Sequence, residues 1–225
     1  MQLEDVLARM KALSDPASLA GMARFGIRAE NAFGLRIPQI RVLAKEIGSD
    51  HALATALWHS AIHDARLLAP MIEEAKAVTP AQMDAWAGDF NSWDVCDQCC
   101  ANLFWRLDEA WEKAVAWTDS EPEYLKRAGF ALMASLAWKN KQAPDERFLE
   151  LLPVIEAQSD DGRNFVKKAV NWALRQIGKR NRALNEAAVA CAERIAERGT
   201  PAARWIARDA LRELTAAKTL ARLKY

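Results

Sequence analysis

Apolar residues recur along this chain at intervals of three and four, and no stretch alternates apolar with polar for the length of a strand. The series Leu125, Leu132, Leu136 and Val166, Val170, Leu174, Ile177 show the helical spacing most plainly. The pattern predicts helices near 2–13, 16–25, 36–48, 50–59, 63–76, 80–89, 92–104, 108–118, 122–139, 145–157, 162–180, 182–198 and 201–217. Punctuation supports it. Thr79-Pro80 with Gln82 reads as an N-cap, a first-turn proline and a capping-box partner. Ser120 with Glu123, and Thr200-Pro201, read as similar starts, and His63-Asp64 can open a helix. Pro70 should kink the 63–76 helix or end it early.

From residue 36 onward the helices group as antiparallel pairs. Their first members start near 36, 63, 92, 122, 162 and 201, spacings that fall in the range of helical-repeat arrays. An all-α chain is expected, forming a curved α-solenoid as a single domain over 1–225, with an irregular α-bundle as the alternative. In a curved stack, equivalent helices line one continuous concave surface.

Composition agrees. Alanine is the commonest residue, at 44 of 225, and β-branched runs are nearly absent, which favours helix over strand. The net charge of +1 argues against a nucleic-acid binder. Its distribution reverses that argument. Residues 162–225 hold 15 Lys+Arg against 5 Asp+Glu, so the acid is concentrated in the first 161 residues. Such asymmetry points to an anionic partner for one part of the chain. No apolar run approaches the roughly 20 residues of a membrane span. The opening MQLEDVLARMK is amphipathic and carries acids, unlike a signal or transit peptide. Four cysteines, three crowded as Cys96, Cys99 and Cys100, do not make a disulfide framework, and a reduced, cytoplasmic protein is expected.

Helix wheels then single out residues away from the apolar faces. Over 162–180, Trp172 lies opposite the centre of the Val166/Val170/Ala173/Leu174/Ile177 face, with Lys168, Arg175 and Lys179 around it. Over 201–217, Trp205, Arg208 and Arg212 gather opposite Ile206, Ala210 and Leu214, with Asp209 among them. A tryptophan amid cations suits a phosphate–sugar backbone; the alternative is a solvated face whose tryptophan packs on a neighbouring repeat. Over 92–104, Trp93 and Asp97 stand at i and i+4, opposite Val95, Cys99 and Leu103. A carboxylate beside an aromatic face suits a cation. Asp94 fits better as an acid at a helix start. Over 122–139, Arg127 shares its side with Ala131 and Ala134, small residues that would admit a bulky partner; an ion pair to Asp97 is the plainer alternative. Cys96, Cys99 and Cys100 read as structural thiols, since no second cysteine pair or histidine cluster completes a metal site. His51, His59 and His63 suit surface or cap roles, and Gly26 and Gly34 form no phosphate-loop motif.

Together these residues resemble the AlkD-type alkylpurine DNA glycosylases, all-helical proteins of HEAT-like repeats. The resemblance rests on Ser92-Trp93-Asp94-Val95-Cys96-Asp97, Lys126-Arg127-Ala128 and Phe165 to Arg175, in that order on successive first helices, and on Gly21 to Ile27. It covers roughly residues 1–217 and implies HEAT-like antiparallel helix pairs. It also implies that Asp97 is the catalytic carboxylate, that Trp93 and Trp172 contact the lesion-bearing nucleotide, and that Arg127 supports the active site and the DNA backbone. The chain departs from the family in its acidic first 161 residues and its cysteine cluster.

The implied activity is removal of cationic alkylated purines, 3-methyladenine and 7-methylguanine, from double-stranded DNA by a monomer without cofactor, metal or membrane. A purine alkylated at N3 or N7 already leaves well. Rupture of the glycosidic bond builds positive charge on the sugar, which a fixed anion stabilises. No lysine lies in the Trp93–Asp97 patch, so simple hydrolysis is expected rather than Schiff-base chemistry. Lys168, Arg175, Lys179, Trp205, Arg208 and Arg212 are the expected DNA contacts. Two other readings are a non-catalytic scaffold binding DNA or protein on its concave face, and a thiol-based metal or redox protein.

Overall fold

The computed structural model describes residues 1–27 and 31–223. Among them there is no strand, and no helix is long and apolar enough to cross a membrane. The chain divides into two compact units, Met1–Leu107 and Asp108–Tyr225.

The first unit holds α1 (Leu3–Ala12), α2 (Pro16–Met22), α3 (Ile37–Ile47), α4 (His51–His59), α5 (His63–Ile72), α6 (Pro80–Gly88) and α7 (Trp93–Asn102). Here α3 packs on α5 and α5 on α7, so the first members of successive pairs lie side by side. The second helix α4 packs behind, on α1 and α5. Trp58 of α4 stacks on Trp86 of α6 with ring centroids 4.2 Å apart and planes parallel to 1°. The Trp58 indole N–H donates to Asp89 at 2.9 Å, which satisfies the polar end of a fully buried ring.

The second unit holds α8 (Ala110–Ala116), α9 (Glu123–Lys139), α10 (Asp145–Leu149), α11 (Leu151–Ala157), α12 (Asn164–Gly178), α13 (Arg182–Glu197), α14 (Pro201–Leu214) and α15 (Ala217–Leu220). The first helices α9, α12 and α14 again pack in series, with α8 against α9 and α13 against α11, α12 and α14. The serial packing of first helices expected from the spacing is therefore present within each unit, and α12 packs on its expected partner α13. Helix α9 is buried on every side from Arg127 to Ala137, as a helix apolar all round should be. Gly129 permits this: a Cβ there would lie 2.9 Å from the Ala114 carbonyl at the end of α8.

Several local expectations are corrected. Helix α5 ends at Ile72 rather than near 76, the early end expected from Pro70. The expected 145–157 helix is two helices split at Glu150, because Pro153 clashes with a continuous ladder at Leu149. Ser120 does not cap α9, whose N-cap position is Pro122 with no side-chain bond. Thr79 and Thr200 do cap, accepting from the N–H groups of Gln82 and Ala203 at 3.1 and 3.2 Å. Gln82 leaves the capping box incomplete, since its amide donates to Glu73 at 2.9 Å. Ala131 and Ala134 are fully buried, so the space beside Arg127 is filled by the chain itself rather than left for a partner.

Candidate functional site

The start of α7 is built around Asp94. One carboxylate oxygen accepts from Ser92 Oγ at 2.6 Å and from the Val95 N–H at 3.0 Å; the other lies 2.9 Å from His63 Nε2 of α5. Burial pushes this carboxyl up, but the hydrogen bond and charge of His63, with the Ser92 and Val95 bonds, outweigh it and hold Asp94 below its ordinary range. Asp94 is thus a helix-start acid, as its position suggested. It anchors α7 to α5 and sets which way the rest of the helix faces.

Trp93 and Asp97 flank Asp94 on the same helix, both half-buried. Residues four apart on a helix place their Cβ atoms about 5–6 Å apart, so ring and carboxylate are neighbours. The Trp93 indole N–H donates to the Phe25 carbonyl at 2.9 Å, which fixes the ring. Beside it opens a largely apolar pocket of about 600 Å³, walled by Met22, Phe25, Ile27, Leu67, Trp93 and Asp94. Phe25 is 67% exposed at its edge. The segment Gly21 to Ile27 carried part of the family resemblance, but its role as a pocket wall is visible only in three dimensions.

The buried Asp64 holds the far wall by accepting from the Phe33 and Leu35 N–H groups at 2.6 and 2.7 Å. Gly34 between them has φ of 78°, and a Cβ would meet the Asp15 carbonyl at 2.7 Å.

In the second unit Arg127 is buried, at 6% exposure. Its Nη1 donates to the Phe165 carbonyl at 2.6 Å, joining α9 to the start of α12. The Phe165 N–H donates to Glu123 at 3.3 Å, and Arg163 Nη1 donates to the Glu121 carbonyl at 2.6 Å. Asp161 completes this clamp, 3.2 Å from Lys126 Nζ and 2.6 Å from Arg163 Nη2. Burial raises its carboxyl. Hydrogen bonds from the Arg163 side chain and backbone and from Lys126, with the Arg163 charge, reverse that and lower it to about 2.

The basic face of α12 and α14 is partly neutralised from within. Arg175 lies 3.3 Å from Asp209 and 2.6 Å from Glu213, and Lys179 lies 2.8 Å from Glu213. Arg212 pairs with Asp209, which also accepts from Asn171 at 2.7 Å. Burial raises the Glu213 carboxyl, but Lys179 and Arg175 bring it below its ordinary range. Trp172 is half-buried on the same helix. Lys168 and Arg208 are exposed, and neither forms an ion pair with a described residue. Trp205 and Arg208 line a groove of about 820 Å³ with Lys167, Pro201, Arg204 and Leu211. The Lys167 ammonium sits 5.0 Å from the Trp205 ring centre. Sequence reasoning passed over Lys167 and Arg204; their signal was adjacency to Lys168 and Trp205.

None of the four cysteines is in a disulfide, and all four are buried. Burial pushes the Cys99 thiol well up, reinforced by Cys96 and Glu73, and pushes Cys191 to about 12. No group of three or more His, Cys, Asp or Glu among the described residues is arranged to hold a metal ion. His51 Nδ1 lies 2.7 Å from the buried Glu73 carboxylate.

Among the curated proteins no match was found. Among solved structures, one match is a protein from a family related to the HEAT-like repeat DNA glycosylases, with affinity for branched DNA structures. It is 20% identical, with a TM-score of 0.79, over 94% of this chain and 95% of that one, and shows that the helix-pair fold is shared. The family model described as DNA alkylation repair enzyme matches residues 6–214. With that match spanning nearly every helix described above, the chain belongs to the DNA alkylation repair enzyme family.

Proposed function

We propose that this protein is a monofunctional DNA glycosylase that hydrolyses the N-glycosidic bond of cationic alkylated purines, 3-methyladenine and 7-methylguanine, in duplex DNA. The observation that carries the reading is the pairing of Trp93 and Asp97 on one half-buried turn of α7. A carboxylate next to the deoxyribose stabilises the positive charge that grows there as the bond breaks. Asp97 can also orient the attacking water. Trp93 packs against the sugar and attracts the cationic lesion through its ring face, and Trp172 offers the second unit's own aromatic face to the nucleic acid. Arg127 acts by holding α9 to the start of α12 through the Phe165 carbonyl, which sets the helices that present the second unit's contacts.

Docking falls first to the uncompensated cations. Lys168, Lys167, Arg204 and Arg208 with Trp205 take backbone phosphates. Arg175, Lys179 and Arg212 join by exchanging Asp209 and Glu213 for phosphate. The protein acts as a monomer and needs no cofactor.

The test is incubation with methylated duplex DNA, scoring released 3-methyladenine and 7-methylguanine. Asp97→Asn should keep DNA binding and lose release. Undiminished release in that variant would refute the mechanism. Binding without release by the wild type, across a wide range of lesions, would instead favour a non-catalytic repeat scaffold.

A further inference from the structure

The C-terminal ends of α9, α12 and α14, with α15, enclose another cavity in the second unit, of about 550 Å³. Five cations line it, Lys141, Lys179, Arg180, Lys218 and Arg222, against one carboxylate, Glu213. Two of the five are committed. Lys179 pairs with Glu213 at 2.8 Å. Arg180 donates to the carbonyls of Ala137, Asn140 and Ala143 at 2.7, 2.9 and 3.2 Å, and its guanidinium lies 3.9 Å from the Phe148 ring centre. Lys141, Lys218 and Arg222 form no ion pair with any described residue.

Cations at helix C-termini are ordinarily explained by the helix dipole. That explanation covers Arg180, which satisfies the last carbonyls around α9, but not three further charges facing one cavity. The Lys141 ammonium is pushed down from its ordinary range by burial and by the Arg180 charge. The cluster repels itself, and an anion in the cavity would relieve it.

The rim of the cavity identifies the anion. Trp138 lines it and is 54% exposed, with the Lys139 ammonium 4.9 Å from its ring centre. An exposed indole beside cations is a stacking platform of the kind that holds unpaired bases, whose faces a duplex keeps covered.

We propose that this cavity binds a backbone phosphate of an unpaired nucleic-acid strand whose neighbouring base stacks on Trp138. The inference rests on the DNA-docking part of the proposed function and is independent of the chemistry at Asp97.

The test uses the full chain and fluorescence anisotropy with a blunt labelled duplex and the same duplex extended by a single-stranded overhang of about five nucleotides, a short single-strand site. The wild type should bind the overhung duplex about tenfold more tightly. Trp138→Ala, and Lys141→Glu with Arg222→Glu, should abolish that preference while leaving blunt-duplex binding and base release unchanged. A wild type without the preference, or variants that retain it, would overturn the inference. So would charge reversals that weaken both DNAs equally, since the cavity would then be a duplex contact. In each of these cases blunt binding and base release still report separately on the proposed function.

Discussion

Asp161 offers a quantitative check on the clamp that joins α9 to α12. Its carboxylate meets Lys126 and Arg163 and is only 11% exposed, so solvent screens it little. The folded protein lowers its pKa from 3.8 to about 2. At about 1.4 kcal/mol per unit, that difference corresponds to about 2 kcal/mol of stability. The sign follows from the direction. A carboxyl with a lowered folded pKa stabilises fully above its unfolded value and loses that contribution as pH falls toward the folded value.

Asp161→Asn mimics the protonated group. Urea unfolding should therefore show the variant less stable by about 2 kcal/mol at pH 7, with the gap shrinking to about 1 kcal/mol at pH 3. The other carboxylates titrate in both proteins and cancel in the comparison. A gap below about 0.5 kcal/mol at pH 7, within the usual range for surface substitutions, would refute the clamp. So would a gap that stays constant down to pH 3, since it would then not depend on the charge.

Three further outcomes follow from the same structure. None of Cys96, Cys99, Cys100 and Cys191 should react with a thiol reagent in the native protein at neutral pH, and all four should react in denaturant; a fast native thiol would contradict their burial. Gly178→Ala places a Cβ 2.7 Å from Leu214 Cδ2 and 2.9 Å from Ala188 Cβ, and should cost about 1–3 kcal/mol in urea unfolding. Unchanged stability would mean that α12, α13 and α14 are not packed as described. Arg208→Glu should lower the salt slope of DNA binding by about 1 or more, whereas Arg212→Glu, whose arginine is held by Asp209, should change it less. Equal effects would show that the internal ion pairs do not limit docking.

Hydrophobic periodicity carried the all-α class and the order of helix pairs, because a 3.6-residue repeat is a local property that a single strand of text records. The same periodicity could not locate breaks. Pro153 splits the 145–157 segment through a clash with the preceding turn, and Pro122 displaces the expected Ser120 cap. A wheel orients each helix about its own axis, so it placed Trp93, Asp97, Trp172 and Trp205 off their apolar faces. It could not say what those residues meet.

That limit matters most for charge. The excess of basic residues in 162–225 was legible by counting. Which of them are available was not. Glu213 lies 38 residues from Arg175 and 34 from Lys179, and only the packing of α14 on α12 brings it onto both. The same holds for the pocket beside Trp93, whose wall comes from Phe25, 68 residues away in the chain.

By itself, then, the sequence determined helix content, pair order and the family-bearing residues, all written in local spacing and residue type. The tertiary structure decided what holds Asp94 at the start of α7, which cations are neutralised and where cavities open. Those depend on approaches between residues tens of positions apart, and long-range Coulomb and packing terms exist only once the helices have docked.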